Sequence, residues 1–188
     1  MVRIVSEFGS AAVAGYTIAI RVIVFSLLPS WGLSNAAATL VGQNLGAGKA
    51  RRAEQSVKIT GWVNAGVMGS ISLFFILIPE QFIQLFTTHS EILMQGASCL
   101  RIIGYGCLFY GMGMVMVQAL NGAGDTYTPV LLNFICFWVI EIPLAWFLAI
   151  HSGLNEQGVY YSVCISESLL ALFGYVVFRR GKWKLKKV

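Results

Sequence analysis

Three charged side chains fall deep within long apolar stretches of the sequence. They are Arg21, Glu141 and Glu167, and the two acids lie about twelve and about nine residues into their own stretches. A charge in hydrocarbon costs at least about 2.5 to 3.5 kcal/mol and is tolerated where it faces a cavity or has a partner. The acids are therefore candidates for binding a proton, a cation or a cationic ligand. The alternative is a structural ion pair with Arg21 that holds two helices in register.

Two prolines inside apolar stretches predict helix bends, because proline lacks the backbone N–H and crowds the preceding turn. Pro143 follows Glu141 by two residues, and interrupted helices near the bilayer midplane often carry binding sites. This position strengthens the case for Glu141. Pro29 predicts a bend in the first stretch, which is long enough for two helices but has no polar turn between its halves.

Neutral polar, methionine and aromatic side chains in the same stretches are candidates for the wall of a cleft. Methionine adapts its shape to varied ligands, and amides offer hydrogen bonds. The alternatives are hydrogen bonds between helices for the amides and simple packing for the methionines. The candidates are Asn35, Gln43, Tyr110, Met112, Met116, Gln118 and Asn133.

Enzyme, metal and nucleotide chemistry find no support in the residue pattern. The four cysteines form no CxxC pair and have no histidine cluster beside them, so we expect no metal site and no cofactor. Residues 42–50 resemble a phosphate-binding loop only superficially, because Gln43 takes the place of the first glycine and Ala50 that of the required hydroxyl. No serine, histidine and acid arrangement indicates hydrolysis.

The composition indicates hydrocarbon as the main solvent. Of 188 residues, 57% are hydrophobic and 11% are charged, and the mean hydropathy is +0.74, whereas soluble domains carry about 25% charged residues. The net charge of +5 does not indicate nucleic acid, because ten of the thirteen basic residues form two clusters that follow apolar stretches. Such clusters are typical of cytoplasmic loops beside anionic lipid headgroups. They comprise Lys49, Arg51, Arg52 and Lys58, then Arg179, Arg180, Lys182, Lys184, Lys186 and Lys187.

Five apolar stretches predict an all-α membrane protein. They cover about residues 10–45, 56–78, 93–120, 129–150 and 158–178, and a basic tail occupies residues 179–188. Residues 80–92 predict a short interfacial helix with Phe82, Leu85 and Phe86 on one face. Residues 1–8 have the composition of the end of a sixth apolar segment.

Charge and crossing number agree on one orientation. If the tail is cytoplasmic, counting back across five helices places residues 49–54 on the same side, as the excess of positive charge on cytoplasmic loops requires. We expect a multi-pass protein of the cytoplasmic (inner) membrane with its carboxyl terminus inside. The abrupt beginning suggests a fragment of a larger bundle, although Met1 could also be a genuine start.

Two segments of the chain end in the same sequence motif. LVGQNLGAGKARRAE (40–54) and ALNGAGDTYTP (119–129) both run from an apolar helix through an amide residue and Gly-Ala-Gly to a charged turn. IAIRV and LLPSWGLSNAAA, within residues 18–38, precede them, and EIPLAW (141–146) lies after them. In this order and spacing the chain resembles the MATE (multidrug and toxin extrusion) family, in its carboxyl-terminal lobe and over nearly its whole length.

The resemblance implies one lobe of a pseudo-symmetric twelve-helix transporter, facing an amino-terminal lobe that this chain lacks. It also implies a monomeric intact protein that exports drugs and other amphipathic, often cationic, compounds by antiport with Na⁺ or H⁺. Many members carry an acid midway along the tenth helix. The equivalent stretch here, residues 108–114, has none, and Tyr110 is its nearest polar group, so the coupling ion stays open.

Two other functions stay open. A lipid-linked precursor flippase of the same superfamily would call for a more cationic cleft than Arg21 alone provides. A membrane subunit without transport activity is the third possibility. Six further apolar segments in the upstream reading frame would favour transport, whereas a genuine start at Met1 would favour the subunit.

Overall fold

The five predicted crossings form five long helices. The structure is a computed structural model that describes residues 1–185, so Lys186 and Lys187 of the predicted tail lie outside the described residues. Five of the described helices are long and apolar enough to span a membrane, which confirms the predicted all-α membrane fold. They are α2 (Ser10–Gly46), α3 (Ala50–Leu77), α5 (Ser90–Gly122), α6 (Tyr127–His151) and α7 (Glu156–Arg179). Shorter elements are α1 (Val2–Val5), α4 (Pro79–Gln84) and 3₁₀ turns at Ser6–Phe8 and Lys182–Leu185.

The first apolar stretch is one continuous helix of 37 residues that runs through Pro29. At 1.5 Å per residue it extends about 55 Å, well beyond a hydrocarbon core of about 30 Å. The alternative of two separate helices is therefore wrong. The Pro29 side chain is exposed on the surface of α2.

Helix α3 begins six residues before the predicted span of 56–78. Gly48, with a φ of +70°, ends the turn after α2, and the helix starts at Ala50. Alanine, arginine and glutamate are strong helix formers, and Glu54 pairs with Lys58 one turn later at 2.7 Å. The basic connector therefore forms the first turns of α3.

The segment after α3 differs from the amphipathic helix that was predicted. Helix α4 ends at Gln84, so Leu85 and Phe86 lie in the following turn, where they are 78% and 61% exposed. The fully buried residue is instead Ile83, whose side chain lies against Gly96 of α5. The helix is therefore shorter than the predicted segment of residues 80–92, but Phe82, Leu85 and Phe86 still lie along one pocket beside α2.

Helix α6 contains two widened π-type segments, Phe134–Glu141 and Phe147–His151, on either side of the α-helical piece Ile142–Trp146. Pro143 lies at the beginning of that piece. Proline cannot donate the usual backbone hydrogen bond, and a wider turn relieves the crowding of its ring. Glu141 is the last residue of the first π segment, so the irregular backbone directly precedes the acid.

Helix α5 is the central helix and packs against α2, α3 and α7. Its glycines alternate between two neighbours: Gly104 and Gly111 face α3, whereas Gly106 and Gly113 face α7. A Cβ added at Gly111 would lie 2.8 Å from a backbone oxygen of α3, and one added at Gly113 would overlap the backbone of Ala171. The missing side chains let the helices approach closely.

Candidate functional site

Arg21 does not pair with either membrane-embedded acid. Its side chain is exposed on α2, beside Leu85 and Phe86. Both salt bridges found among residues 1–185 belong to Glu54. The proposed ion pair is therefore absent from the described part of the chain, and Arg21 lies apart from the acids. A long side chain in this place can extend its charge towards the membrane surface.

Glu167 faces a small cavity between α2, α5 and α7. The cavity has a volume of about 160 Å³, and its wall is mostly aliphatic, with Ile23 and Leu27 from α2 and Ile103 from α5. Oε2 of Glu167 is fully buried and has no hydrogen-bond partner among residues 1–185. A buried polar atom without a partner calls for an explanation, and an ion or proton site is one.

Tyr110 lines the same cavity as Glu167. Its hydroxyl accepts a long hydrogen bond of 3.5 Å from Nε1 of Trp31 on α2. The remaining groups of some polarity in the wall are the thiols of Cys107 and Cys164. The structure thus brings together two residues that were predicted separately, a carboxyl group and a phenol.

Glu141 is held by the residue next to Glu167. The hydroxyl of Ser166 donates a 2.8 Å hydrogen bond to Oε2 of Glu141, which is half-buried. The same hydroxyl lies 2.8 Å from the backbone oxygen of Ser162. Glu141, Ser166 and the neighbouring Glu167 thus form one polar cluster, in which Ser166 contacts α6 and Glu167 faces the cavity between α2, α5 and α7.

The amides predicted to line a cleft do not join this cluster. Nε2 of Gln118 donates a 2.8 Å hydrogen bond to Oδ1 of Asn35, which links α5 to α2. Asn121 donates in turn to Gln118 at 2.8 Å. Gln43 and Asn133 are exposed, and their side chains form no hydrogen bond to another described residue. Asn35 and Gln118 thus form a hydrogen bond between helices, whereas Gln43 and Asn133 lie on the surface.

Met112 and Met116 lie together, but in another place. Both line a pocket of about 400 Å³ between α3 and α7, near Glu54 and Lys184. Met112 is half-buried, whereas Met116 is 5% exposed. They share a face, as their spacing predicted, but neither lines the Glu167 cavity.

The sequence analysis missed Asn64. Its side chain is fully buried and donates hydrogen bonds to Oγ of Ser30 at 2.9 Å and to the backbone oxygen of Gly111 at 2.8 Å. One amide thereby joins α2, α3 and α5. A single polar residue in the middle of an apolar stretch was the available signal, the same signal that singled out Asn35.

Helices that cross a membrane, packed round a glycine-rich central helix, define a multi-pass membrane protein. The chain belongs to the MatE family, whose model matches residues 1–147. Members of this family are transporters and not enzymes, which confirms the class of protein predicted from the sequence.

Curated relatives match almost the whole chain. A probable multidrug resistance protein NorM from Caulobacter vibrioides is 31% identical over 185 residues, which are 95% of this chain and 38% of the relative. A probable multidrug resistance protein YoeA from Bacillus subtilis is 25% identical over 190 residues, covering 100% of this chain and 40% of the relative. The chain therefore spans about 40% of the length of these relatives.

Solved structures show the same fold. The outward-facing conformation of a multidrug resistance MATE family transporter of the MOP superfamily matches 100% of this chain and 42% of its own, with a TM-score of 0.89 and 21% identity. An inward-facing conformation of such a transporter matches 94% of this chain and 41% of its own, with a TM-score of 0.85 and 20% identity. This part of the fold thus resembles both conformations.

Proposed function

We propose that this chain is one lobe of a cation-coupled antiporter that exports drugs and other amphipathic organic compounds. The lobe lies in the cytoplasmic membrane with its carboxyl terminus inside. It acts together with a second lobe, which corresponds to the part of its relatives that this chain does not cover. The relatives' names as multidrug resistance proteins support the substrate class. The observation that carries the coupling is the unpartnered oxygen of Glu167 in its cavity.

The coupling ion of this proposal is the proton. A sodium ion needs several oxygen ligands, and in transporters unwound backbone often provides them. The cavity offers the Glu167 carboxyl group and the Tyr110 hydroxyl, and the three helices that enclose it are continuous there. A single carboxyl group is enough to carry a proton. The cavity therefore has too few oxygen ligands for a sodium ion, but its one carboxyl group can bind a proton. Both facts favour H⁺ as the coupling ion.

Glu141 is the second acid of the proposed pathway. Its bond to Ser166 places it beside Glu167, and the π segment that ends at Glu141 makes the backbone of α6 irregular there. Such wide turns are frequent at functional sites. Neighbouring acids resist being charged together, so a proton bound to Glu167 is expected to influence Glu141, which the adjacent Ser166 holds.

A flippase for lipid-linked precursors receives less support. Such a substrate carries anionic groups, and the walls of the Glu167 cavity, as far as the described residues show, present an acid and no base. The exposed position of Arg21 removes the one cation that could have faced it.

Carbodiimide labelling tests the proposed ion site on the chain itself. Dicyclohexylcarbodiimide enters apolar cavities and modifies carboxyl groups, so it is expected to modify Glu167 in the purified protein, as mass spectrometry of its peptides can measure. The Glu167→Gln variant is expected to lose the modification. Protection by Na⁺ at constant pH would contradict the choice of the proton, and the absence of any labelling at Glu167 would contradict the site.

Transport requires a second test. Vesicles that contain residues 1–188 alone are expected to show no drug efflux, because one lobe cannot enclose a two-sided cleft. If the upstream reading frame continues with six further apolar segments, the extended protein is expected to acidify or alkalinise the vesicle lumen when a drug is added. Efflux by the 188-residue chain alone, or no proton movement by the extended protein, would contradict the proposal.

A further inference from the structure

An open groove runs along α5 between α3 and α7. Its main part has a volume of about 670 Å³ and is lined by apolar side chains, among them Trp62 of α3, Phe109 of α5 and Leu172 of α7. Gly66 widens it, because a side chain at this position would project into the open space. The groove is distinct from the Glu167 cavity, with which it shares no lining residue.

The groove continues into a second space of about 400 Å³. Trp62, Met112 and Tyr175 line both parts, so the two form one elongated depression. The second part lies where α3 begins and α7 ends. It therefore opens at the end of the bundle that carries both basic clusters.

Cations outnumber acids at this polar end. Lys58, Arg179 and Lys184 line it together with one carboxylate, that of Glu54. Glu54 bonds the two ammonium groups, with Nζ of Lys58 at 2.7 Å and Nζ of Lys184 at 2.6 Å. A single carboxylate cannot neutralise two lysines, so both retain hydrogen atoms and charge to offer a ligand.

Arg179 is the cation that no acid holds. The structure gives its guanidinium group a 3.5 Å hydrogen bond to the hydroxyl of Tyr175 and a position 5.9 Å from the centre of that ring. No carboxylate in the described part of the chain pairs with it. A guanidinium group matches a phosphate with two parallel hydrogen bonds. Its exposed end is thus suited to a phosphate group at the membrane surface.

The carboxyl-terminal turn fixes this end of the groove. Trp183 is 2% exposed, stacks on Phe178 at 4.9 Å between ring centres, and donates its indole N–H to the backbone oxygen of Phe178 at 2.9 Å. The docked tryptophan positions Lys184 over the start of α3, where it meets Glu54. The cationic end is therefore built by tertiary contacts and does not depend on a freely moving tail.

We propose that this groove binds an anionic phospholipid, with one acyl chain along the apolar part and the phosphate between Arg179, Lys58 and Lys184. A membrane surrounds the groove with such molecules, and the excess of cations at the polar end selects those with a negative headgroup. Zwitterionic phospholipids have the same acyl chains but carry no net charge. The lipid occupies a fixed site on the lobe and links α3 to α7, two helices that both pack on α5.

Competition between two lipids tests the charge selection. The purified 188-residue protein in mild detergent receives equal amounts of phosphatidylglycerol and phosphatidylcholine, and native mass spectrometry counts the lipids retained. We expect phosphatidylglycerol to be retained preferentially, and the Lys58→Gln, Arg179→Gln double variant to lose at least about tenfold of that retention, since each cation near a membrane surface is worth about fivefold. Equal retention of the two lipids would overturn the proposal.

A matched control separates the site from charge in general. The Arg51→Gln, Arg52→Gln double variant removes the same charge from the same end of α3, but neither arginine lines the groove. It is expected to retain the wild-type preference. If it loses retention as strongly as the groove variant, the effect follows net charge and the site does not exist.

The apolar half is tested by filling it. A Cβ at Gly66 meets nothing within 4 Å, so Gly66→Leu is tolerated and projects into the groove, whereas Gly32→Leu makes the same change in open space on α2. Gly66→Leu is expected to lower lipid retention, whereas Gly32→Leu is expected to leave it unchanged. With the unaltered protein, a phosphatidylglycerol that carries a photoreactive acyl chain should label peptides containing Trp62 and Tyr175. Labelling confined to other helices would overturn the assignment even if a variant failed to fold.

Discussion

The hydroxyl of Ser166 on α7 donates a 2.8 Å hydrogen bond to Oε2 of Glu141 on α6. The next residue along α7 is Glu167, which faces the cavity between α2, α5 and α7. Successive residues of an α-helix point about 100° apart. Ser166 therefore contacts Glu141 on α6, while Glu167 points into the cavity on another side of α7. This turn of α7 connects the irregular helix α6 to the proposed ion site.

Removing the Ser166 hydroxyl should loosen the attachment of α6. Ser166→Ala is expected to lower the free energy of unfolding by about 1 to 2 kcal/mol, because the bond to a carboxylate is lost. Ser168→Ala is the control, since that hydroxyl bonds only the Cys164 backbone oxygen of its own helix at 2.7 Å. Unfolding of the purified chain in detergent measures both. In a Glu141→Leu background, which has no acceptor for this bond, Ser166→Ala should be as mild as Ser168→Ala. An equal cost of Ser166→Ala in both backgrounds would show that the bond contributes nothing to stability.

Neutralising the acids should uncouple transport in the extended protein. Glu167→Gln is expected to abolish drug resistance of cells that express it, since the amide cannot carry a proton, whereas Glu141→Gln should weaken resistance without preventing membrane insertion. Glu91→Gln, at an exposed acid in the first turn of α5, serves as the control. Immunoblots of the membrane fraction correct for expression. Wild-type resistance with Glu141→Gln would remove Glu141 from the mechanism, and with Glu167→Gln it would remove the proposed site.

Asn64 should be worth more to stability than any other amide in the bundle wall. Asn64→Leu loses the bonds to Ser30 and to the Gly111 backbone and leaves that backbone oxygen without its side-chain donor. A cost of about 1 to 3 kcal/mol is expected from the buried groups left without partners. Asn133→Leu changes an exposed amide without such bonds and should stay within about 0.5 kcal/mol of the wild type. Equal unfolding free energies for the two variants would show that the Asn64 bonds contribute nothing net.

Hydrophobic length and charge were sufficient to predict the five crossings, because hydrocarbon leaves a chain few alternatives to the helix. They were not sufficient to predict which side chains meet. The pairing of acids with Arg21 failed because helix rotation decides where a side chain points, and α2 turns Arg21 outward. The interfacial helix predicted for residues 80–92 is shorter than expected, because the backbone leaves the helix after Gln84. Glu167 and Tyr110 were identified as candidates, but their shared cavity depends on how three helices pack.

Close packing of α5 on α7 gives a fourth prediction. Gly113→Ala should lower the free energy of unfolding by about 1 to 3 kcal/mol, because the new methyl group would overlap the backbone of Ala171 and force the helices apart. Gly32→Ala places the same methyl group in open space, where alanine is the better helix former by about 1 kcal/mol. Opposite signs are therefore expected for one chemical change. A stabilising Gly113→Ala would mean that the two helices do not pack as described.

Membrane orientation can be tested by labelling with a thiol reagent that does not cross bilayers. The native cysteines are first replaced. Single cysteines are then introduced at Lys49 and Lys182, in or beside the basic clusters, and at the opposite helix ends, at His89 before α5 and at His151, the last residue of α6. If the chain crosses five times with its basic clusters inside, the reagent should label His89→Cys and His151→Cys from outside intact cells. Lys49→Cys and Lys182→Cys should react only after the membrane is opened. Labelling of Lys49→Cys and Lys182→Cys from opposite sides would require an odd number of crossings between them. It would therefore contradict the four crossings expected from α3, α5, α6 and α7.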